Sequence, residues 1–349
     1  MEVSSYISAK IKFFSLLCAG MVVGIHVSGI EEQWSVMWWW SRIGHYGIFL
    51  IAVPFFFVSS GYFISGHFNE DGWWLREVRK RCKSLFVPFV IWSVVAVLLM
   101  VGKSFCANVL YGRDLLSNIP NDFNFWLKAF GLYPFAYPEL VPLWFIRSLM
   151  IFVFISPLLY YLERWGIRML VTIYFLHFII MAFGCGKFYL FMRYTFSLYS
   201  LSFFFMGMIL RVRGMSVVVN NKGIAIIALL VGVVMLGVSL FIYDAESKLF
   251  WMCRMIFVPL FLFAIWNLMP AMKLPHCFSS VSFQIFLLHV IVWSVLDGIA
   301  NISGINFSRP GCLFLWWMKW GIGFVIPIAF SALLCRVFPR INRVLFGGR

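Results

Sequence analysis

Long apolar stretches separated by short polar segments run along the whole chain. A hydrocarbon core of about 30 Å requires about 20 mostly apolar residues per spanning helix, and ten stretches approach this length. They lie at residues 13–30, 47–65, 85–101, 143–162, 169–183, 196–210, 223–243, 249–268, 281–299 and 313–334. The pattern predicts an all-α integral membrane protein with about ten transmembrane helices. A single membrane-embedded domain is expected over residues 1–349, with no separate soluble domain.

Composition excludes a water-soluble protein. Of the 349 residues, 63% are hydrophobic and only 12% are charged, whereas soluble domains carry roughly 45–50% apolar and about 25% charged residues. A soluble chain could not remove so much apolar surface from water. The formal net charge of +15 would suggest nucleic-acid binding in a soluble protein. In a membrane protein, an excess of basic residues first indicates which loops lie on the cytoplasmic side.

Lysine and arginine concentrate in alternate connecting segments. Cytoplasmic loops carry the excess of these residues, and most of the 28 cations fall on one side when the amino terminus is placed in the cytoplasm. This predicts a multi-pass protein of the cell membrane with both termini cytoplasmic, as an even number of helices requires. Segment 66–84 is then an inner loop, and segment 102–142 is an outer loop.

Ionisable groups within apolar stretches are costly in a membrane and therefore mark candidate functional residues. His26 lies in the outer half of the first helix, and imidazole can act as a base near neutral pH. Glu31 and Glu32 follow at the outer helix end, where a carboxylate could orient the ring or hold it charged. A structural histidine bonded to a helix neighbour is the alternative. The other such groups are Arg147, His177, Arg254, His289 and Lys319.

Two further segments carry polar or aromatic residues in functional patterns. Ser60 and Gly61 lie inside the apolar segment VPFFFVSSGYFIS, where small residues allow close helix approach and one interhelical hydrogen bond. The outer segment 102–142 carries aromatic residues that suit either an interfacial lid or an aromatic belt. These are Trp126, Phe130, Tyr133, Phe135 and Tyr137.

A basic amphipathic stretch, LREVRKRCKSLFVPF, lies in the inner segment. Such a stretch is typical of a lipid-facing anchor or a topology signal. It is also what a polyphosphorylated cytoplasmic ligand requires, because arginine binds phosphate oxygens bidentately. The candidate phosphate ligands are Arg76, Arg79, Lys80, Arg81 and Lys83.

Metal, redox and ATP chemistry have no support in the sequence. No His, Cys, Asp or Glu cluster has metal-ligand spacing, and neither a glycine-rich phosphate loop nor a GxSxG motif occurs. No metal is expected.

Five features in a fixed order resemble the acyltransferase 3 family of membrane O-acyltransferases. They are a first-helix histidine, VPFFFVSSGYFI, RKRCKSLFVPFVIWS, PLWFIRSLMIFVFISPLLYYL and SFQIFLLHVIV. The resemblance covers nearly the whole chain. It implies that an acyl group, commonly acetyl, passes from cytoplasmic acyl-CoA to a hydroxyl of a sugar or other acceptor, often outside the membrane.

The resemblance also implies roles for individual residues. It matches the family's catalytic histidine to His26 and its late histidine to His289. The membrane Ser-Gly pair corresponds to Ser60 and Gly61, and the basic cluster corresponds to Arg79, Lys80, Arg81 and Lys83. The Leu-Trp-Phe motif corresponds to Leu143, Trp144 and Phe145, and Arg147 follows it here. His26 is expected to act as base or to carry the acyl group. Ser60, Trp144 or Arg147 would stabilise the oxyanion.

One position departs from the family pattern. The family often carries an arginine eleven residues before its catalytic histidine, and this chain has Ser15 there, with Lys12 close by. The departure affects the expected geometry of the acyl donor more than the family resemblance.

The expected activity is acetyl-CoA-dependent O-acetylation of an envelope sugar or polysaccharide, with the lipid bilayer as surroundings and no nucleic-acid partner. Two alternatives stay open. One is a transporter that exports an envelope precursor, although no inverted repeat or matched pair of Gly/Pro-broken helices is visible. The other is an acyltransferase-like partner without catalysis.

Overall fold

The computed structural model describes residues 5–27, 35–111, 122–215, 222–242, 248–275, 281–303 and 313–348. Within these ranges the regular structure is helical and no strand occurs. The helices are α1 (Ser5–His26), α2 (Val36–Ile43), α3 (Ala52–Ile64), α4 (Trp73–Arg81), α5 (Val87–Tyr111), α6 (Phe123–Ala129), α7 (Leu143–Phe154), α8 (Ser156–Glu163), α9 (Ile167–Phe183), α10 (Gly186–Tyr194), α11 (Leu198–Val212), α12 (Lys222–Leu240), α13 (Lys248–Leu268), α14 (Ser282–Ser303), α15 (Leu313–Val337) and α16 (Pro339–Leu345).

The predicted apolar stretches are mostly helical where the structure describes them, which confirms an all-helical protein with several candidate membrane spans. In this part of the chain, six segments are long and apolar enough to cross a membrane: Ser5–His26, Val36–His67, Trp73–Cys106, Lys222–Leu240, Leu249–Leu268 and Trp316–Val337. Two bent pairs, α7 with α8 and α10 with α11, raise the number to eight if each pair is one span. Helix α9 and the Ser282–Gly298 part of α14 are apolar but shorter. Ten crossings and cytoplasmic termini stay predictions.

The inner segment 66–84, predicted as a loop, is largely helical. Helix α4 continues through a π-helical turn, Cys82–Phe86, into α5. Glu77 is buried, and its carboxylate forms ion pairs at 3.3 Å with Lys80 and Arg81. Side chains three and four residues apart meet on a helix surface, so the charge pattern that resembled a loop stabilises a helix.

The segment 102–142, predicted as a loop on the outer side, begins with helix. Helix α5 continues to Tyr111, and α6 starts at Phe123. The carboxylate of Asp122 accepts a hydrogen bond from the backbone N–H of Phe125 at 3.2 Å and caps α6. A helix can continue beyond its apolar residues, so hydropathy alone places the end of α5 too early.

The predicted span 143–162 is broken in the middle. Helices α7 and α8 meet at Ile155 with a bend of 62°. Pro157 stands in the first turn of α8, where its missing N–H removes a hydrogen bond that a continuous helix would need. The bend redirects the chain away from the Leu143–Phe145 motif.

Helices α3 and α11 cross with their backbones in close contact. A Cβ atom added to Gly61 would overlap the carbonyl oxygen of Phe204, and one added to Gly207 would overlap that of Val58. The two glycines therefore interlock, as the predicted close approach at Ser60 and Gly61 requires.

Helix α15 holds the C-terminal half of α1 through two indoles. Trp316 donates to the carbonyl of Val27 at 3.0 Å, and Trp320 donates to that of Gly20 at 2.8 Å. Val23 of α1 and Ile285 of α14 belong to one buried cluster at this level. His26 is therefore fixed at the end of a helix that two neighbours restrain.

Candidate active site

A cavity of about 270 Å³ opens beside His26, and we call it the histidine cavity. Its wall combines residues of α1, α3, α7, α9, α10, α11, α13 and α14. Its polar and aromatic members include His26, Tyr137, Trp144, His177, Arg193, Tyr199, Trp251 and Arg254. The predicted residues His26 and Trp144 therefore share one site, and the candidate residue Arg254 lines the same cavity.

His26 lies against His289. The ring centroids are 5.2 Å apart, and His289 is fully buried. The Nδ1 atom of His289 lies 2.9 Å from the carbonyl oxygen of Ile285, one turn earlier in α14. A carbonyl only accepts, so Nδ1 carries the proton and Nε2 is left as an acceptor. This Nε2 is buried without a hydrogen-bond partner among the described residues.

His45 is a further histidine near the site, and the sequence analysis did not single it out. It lies in the turn before α3, with its ring 4.3 Å from that of Tyr46, and within electrostatic range of His26 and Arg254. Its position between two glycines, immediately before an apolar run, was the available signal. Glu31, the predicted partner of His26, lies outside the described residues, so that role stays a prediction.

A second cavity of about 260 Å³, the serine cavity, lies beside Ser60. Ser15, Ser59 and Arg81 also line it. The two cavities lie one after the other along α1 and α3. The first half of α1 and the second half of α3 line the serine cavity, and the opposite halves line the histidine cavity. The structure thus places Ser60 with Arg81 of the basic cluster and in a different cavity from His26.

Three phenylalanine rings stand where the two cavities meet. Phe57 lines the histidine cavity, Phe145 lines the serine cavity and Phe286 lines both. The ring centroids of Phe57 and Phe145 are 4.7 Å apart, and those of Phe145 and Phe286 are 5.4 Å apart. This aromatic partition is the feature that divides the site into two halves.

Comparisons with known proteins identify the family of the chain. A sequence model of the acyltransferase domain matches residues 14–336. The chain belongs to the acyltransferase 3 family. It is 30% identical to the succinoglycan biosynthesis protein ExoH of Rhizobium meliloti (strain 1021), in a match that spans 44% of this chain and 42% of that protein. The chain thus covers less than half of this relative's length. No solved structure matches the chain.

The basic cluster of this family member divides into one cavity-lining residue and several exposed ones. Arg81 lines the serine cavity while its Nε donates to Glu77 at 3.3 Å. Arg79, Lys80 and Lys83 are exposed. Arg76 instead forms an exposed ion pair with Glu70 at 2.7 Å. A hydrogen bond from His67 to Glu70, with help from the Arg76 charge, holds the pKa of the Glu70 carboxyl below its usual value.

Arg147 has a different environment from the one expected of an oxyanion ligand. Its two Nη atoms donate to four backbone carbonyls, those of Gly131, Tyr133, Ala136 and Tyr194, at 2.8–3.1 Å. These bonds occupy all four Nη hydrogens. Arg147 therefore fastens the segment before α7 to the end of α10.

No metal-binding arrangement is present in the described ranges. Within them, no three His, Cys, Asp or Glu side chains are grouped so that they could hold an ion. The chemistry available at the two cavities is that of imidazole, hydroxyl, indole and guanidinium groups.

Proposed function

We propose that this acyltransferase transfers an acyl group, preferably acetyl, from cytoplasmic acyl-CoA across the cell membrane to a hydroxyl of an envelope polysaccharide. The main support for this proposal is the pair of cavities that meet at Phe286. Arg81 lines one of them, and His26 lines the other. A donor and an acceptor can approach such a site from different ends. The similarity to a succinoglycan biosynthesis protein supports a polysaccharide acceptor.

The donor would enter through the serine cavity. The exposed cations Arg79, Lys80 and Lys83 would bind the phosphates of CoA, because guanidinium and ammonium groups form strong charge-assisted hydrogen bonds with phosphate. Arg81 would hold the donor at the mouth of the cavity. Arg81 also brings a positive charge to the cavity that Ser15 lines, which offers a replacement for the arginine that the family often has at that position.

His26 would carry out the chemistry in the histidine cavity. It takes the proton of the acceptor hydroxyl while the oxygen attacks the thioester carbon, the carbon–sulfur bond breaks, and the CoA thiolate receives the proton. In the covalent variant, the ring nitrogen attacks the thioester carbon, the carbon–sulfur bond breaks, and the CoA thiolate takes the ring proton. The acceptor hydroxyl then attacks the acyl-imidazole, the carbon–nitrogen bond breaks, and the hydroxyl proton passes to the ring. A thioester is already activated, so neither route needs ATP.

His289 would position His26. Its Nε2 accepts a hydrogen bond when the His26 ring turns an N–H toward it, as the third member of a catalytic triad orients a histidine. Of the three oxyanion candidates from the sequence, Ser60, Trp144 and Arg147, only Trp144 lines the histidine cavity, and the Nη donors of Arg147 are occupied. The Trp144 indole N–H would therefore stabilise the developing oxyanion.

Mass spectrometry of the envelope polysaccharide from wild-type and deletion cells tests the proposal. We expect the deletion strain to make polymer of normal amount that lacks an ester-linked acyl group, and the wild-type gene to restore it. A deletion strain that exports less polymer with unchanged acylation would support a transporter instead.

Replacing both Arg79 and Arg81 with Ala is expected to weaken acetyl-CoA binding strongly. Charge-assisted hydrogen bonds contribute about 1.5–3 kcal/mol each, so the dissociation constant should rise at least roughly tenfold. Binding of radiolabelled acetyl-CoA to the purified protein measures this. Arg76→Ala is the comparison, and its smaller expected effect follows from the exposed ion pair with Glu70. If the double variant bound acetyl-CoA as tightly as the wild type, the cluster would act only as a topology signal and not as a CoA site.

Phe286→Ala is expected to widen the choice of acyl donor. The substitution joins the two cavities and makes room for a longer acyl chain. The transfer rate with butyryl-CoA should therefore rise at least roughly tenfold relative to the rate with acetyl-CoA, since one methylene in a tight pocket is worth about 1–3 kcal/mol. Transfer rates with the two donors give the ratio. Phe283→Ala, which removes a ring from the serine cavity alone, should leave the ratio unchanged. The same ratio in both variants would contradict a partition at Phe286.

A further inference from the structure

The segment between α6 and α7 is irregular, and we call it the strap (residues 130–142). Buried side chains hold its backbone. Arg147 binds the carbonyls of Gly131, Tyr133 and Ala136. The hydroxyl of Thr195, which follows α10, donates to the carbonyl of Pro134 at 2.6 Å, and Ser148 donates to the carbonyl of Thr195 at 3.1 Å. The course of the strap is therefore fixed by α7 and by the end of α10.

The strap places Tyr137 in the wall of the histidine cavity, together with Val141 and Pro142. The ring of Tyr137 lies next to that of Trp144, which lines the same cavity, with centroids 6.0 Å apart. Tyr194 packs edge-on against Tyr137, with centroids 4.7 Å apart and an interplanar angle of 84°. Neighbouring rings therefore hold the side chain of Tyr137, and the bound strap holds its backbone.

The wall around Tyr137 suits a sugar ring. A pyranose carries hydroxyl groups at its edge and C–H groups on its faces, and such C–H groups pack well on the electron-rich face of an aromatic ring. Ligand sites combine apolar and aromatic walls with a few polar groups, and Ser197 and Ser200 line the same cavity. Ligand pockets typically measure about 300–1,000 Å³. A cavity of about 270 Å³ therefore fits one sugar ring and not an oligosaccharide.

We propose that Tyr137 binds one pyranose ring of the acceptor by stacking in the histidine cavity, and that Arg147 positions Tyr137 through the strap. The inference rests on the proposed acyl transfer and specifies its acceptor as a sugar residue that enters the cavity singly. A ring held at Tyr137 keeps its hydroxyl groups within the cavity that His26 and Trp144 also line. It also gives one aromatic residue of segment 102–142 a role beyond an aromatic belt.

Acceptor kinetics test the stacking contact. Tyr137→Ala should raise the KM for polysaccharide from the deletion strain at least roughly tenfold, and this rise should exceed any change in kcat or in the KM for acetyl-CoA. Tyr137→Phe keeps the ring and should keep most of the acceptor affinity. Tyr133→Ala is the matched control, because Tyr133 belongs to the same strap and is not among the described residues that line the histidine cavity.

Three results of these measurements would overturn the stacking contact. They are an unchanged acceptor KM in Tyr137→Ala, an equal rise in Tyr133→Ala, and a loss confined to kcat. An acceptor KM in Tyr137→Phe as high as in Tyr137→Ala would also refute it, since the ring is then not what binds the sugar.

A double-variant comparison tests the positioning role of Arg147. Arg147→Lys keeps the charge but loses the planar group that binds several carbonyls, so it should raise the acceptor KM. In the Tyr137→Ala background the same substitution should add little, because residues that act through one contact are not additive. A full additional rise would contradict the positioning role. If Arg147→Lys does not accumulate as folded protein, Thr195→Val, which removes the donor to Pro134, replaces it in the comparison.

Direct binding separates failure of this inference from failure of the proposed function. Saturation-transfer NMR measures contact of oligosaccharides released from the deletion-strain polysaccharide with the purified protein, without any turnover, and glycerol serves as a polyol without a ring. If the wild type transfers no acyl group, the proposed function is wrong. Sugar signals that Tyr137→Ala loses and Tyr133→Ala keeps still support the sugar site. Equal sugar signals in all three proteins, or glycerol signals as strong as those of the sugars, refute it.

Discussion

His26→Ala is expected to abolish acyl transfer while expression, folding and acetyl-CoA binding stay at wild-type levels. General-base catalysis is typically worth about 10²–10⁴ in rate, and the donor's phosphates would bind at Arg81, which lines the other cavity. Transfer of radiolabel from acetyl-CoA to polysaccharide measures the loss. Imidazole added to the buffer should restore part of the activity of this variant, because the cavity has room for the missing ring.

Two other histidines serve as controls for this result. His177 is buried and lines the same cavity, with its ring 5.5 Å from that of Tyr199, so His177→Ala should retain most activity. His289→Ala should lower the rate without eliminating it, since His289 acts by positioning His26. If His26→Ala transferred acyl groups at nearly the wild-type rate, His26 would not be the catalytic residue.

Gly61→Val is expected to prevent accumulation of folded protein, and Gly61→Ala to destabilise it. A Cβ at Gly61 overlaps the Phe204 carbonyl, and this backbone atom belongs to a helix that cannot shift alone. Overpacking a buried contact costs typically about 1–3 kcal/mol and occasionally more. The melting temperature of the detergent-solubilised protein measures the effect of the alanine variant.

Two further variants test the helix crossing itself. Gly207→Ala should lower the melting temperature about as much as Gly61→Ala does, because its Cβ would overlap the Val58 carbonyl oxygen. Gly237→Ala is the matched control, since no atom lies within 4 Å of a Cβ there. Equal melting temperatures in all three proteins would show that α3 and α11 do not depend on this approach.

Hydropathy predicted the helices well and their ends poorly. Apolar stretches of spanning length have to form helices in lipid, because every backbone group must be satisfied within the segment. The charged segment around Glu77 became α4 through ion pairs at helical spacing, which a hydropathy average does not register. The break at Ile155 depends on Pro157, a local signal that was present in the sequence.

The motifs identified candidate residues without showing how they are grouped. His26 and Ser60 looked like parts of one centre, yet they line separate cavities. Arg147 looked like a catalytic cation, yet it bonds four carbonyls. Neither outcome was visible in the sequence, because the carbonyls that bind Arg147 belong mostly to an irregular segment whose course depends on tertiary packing.

The sequence by itself determined the membrane class, the positions of the helices and the family motifs with His26. Each of these follows from hydrophobic length or from a local run of residues. Only the tertiary structure decided which cavity each side chain enters, that Phe286 divides them, and that His289 contacts His26. The physical reason is that apolar side chains in a membrane face lipid as readily as protein, so periodicity does not set helix rotation. Close contacts such as Gly61 with α11 set it instead.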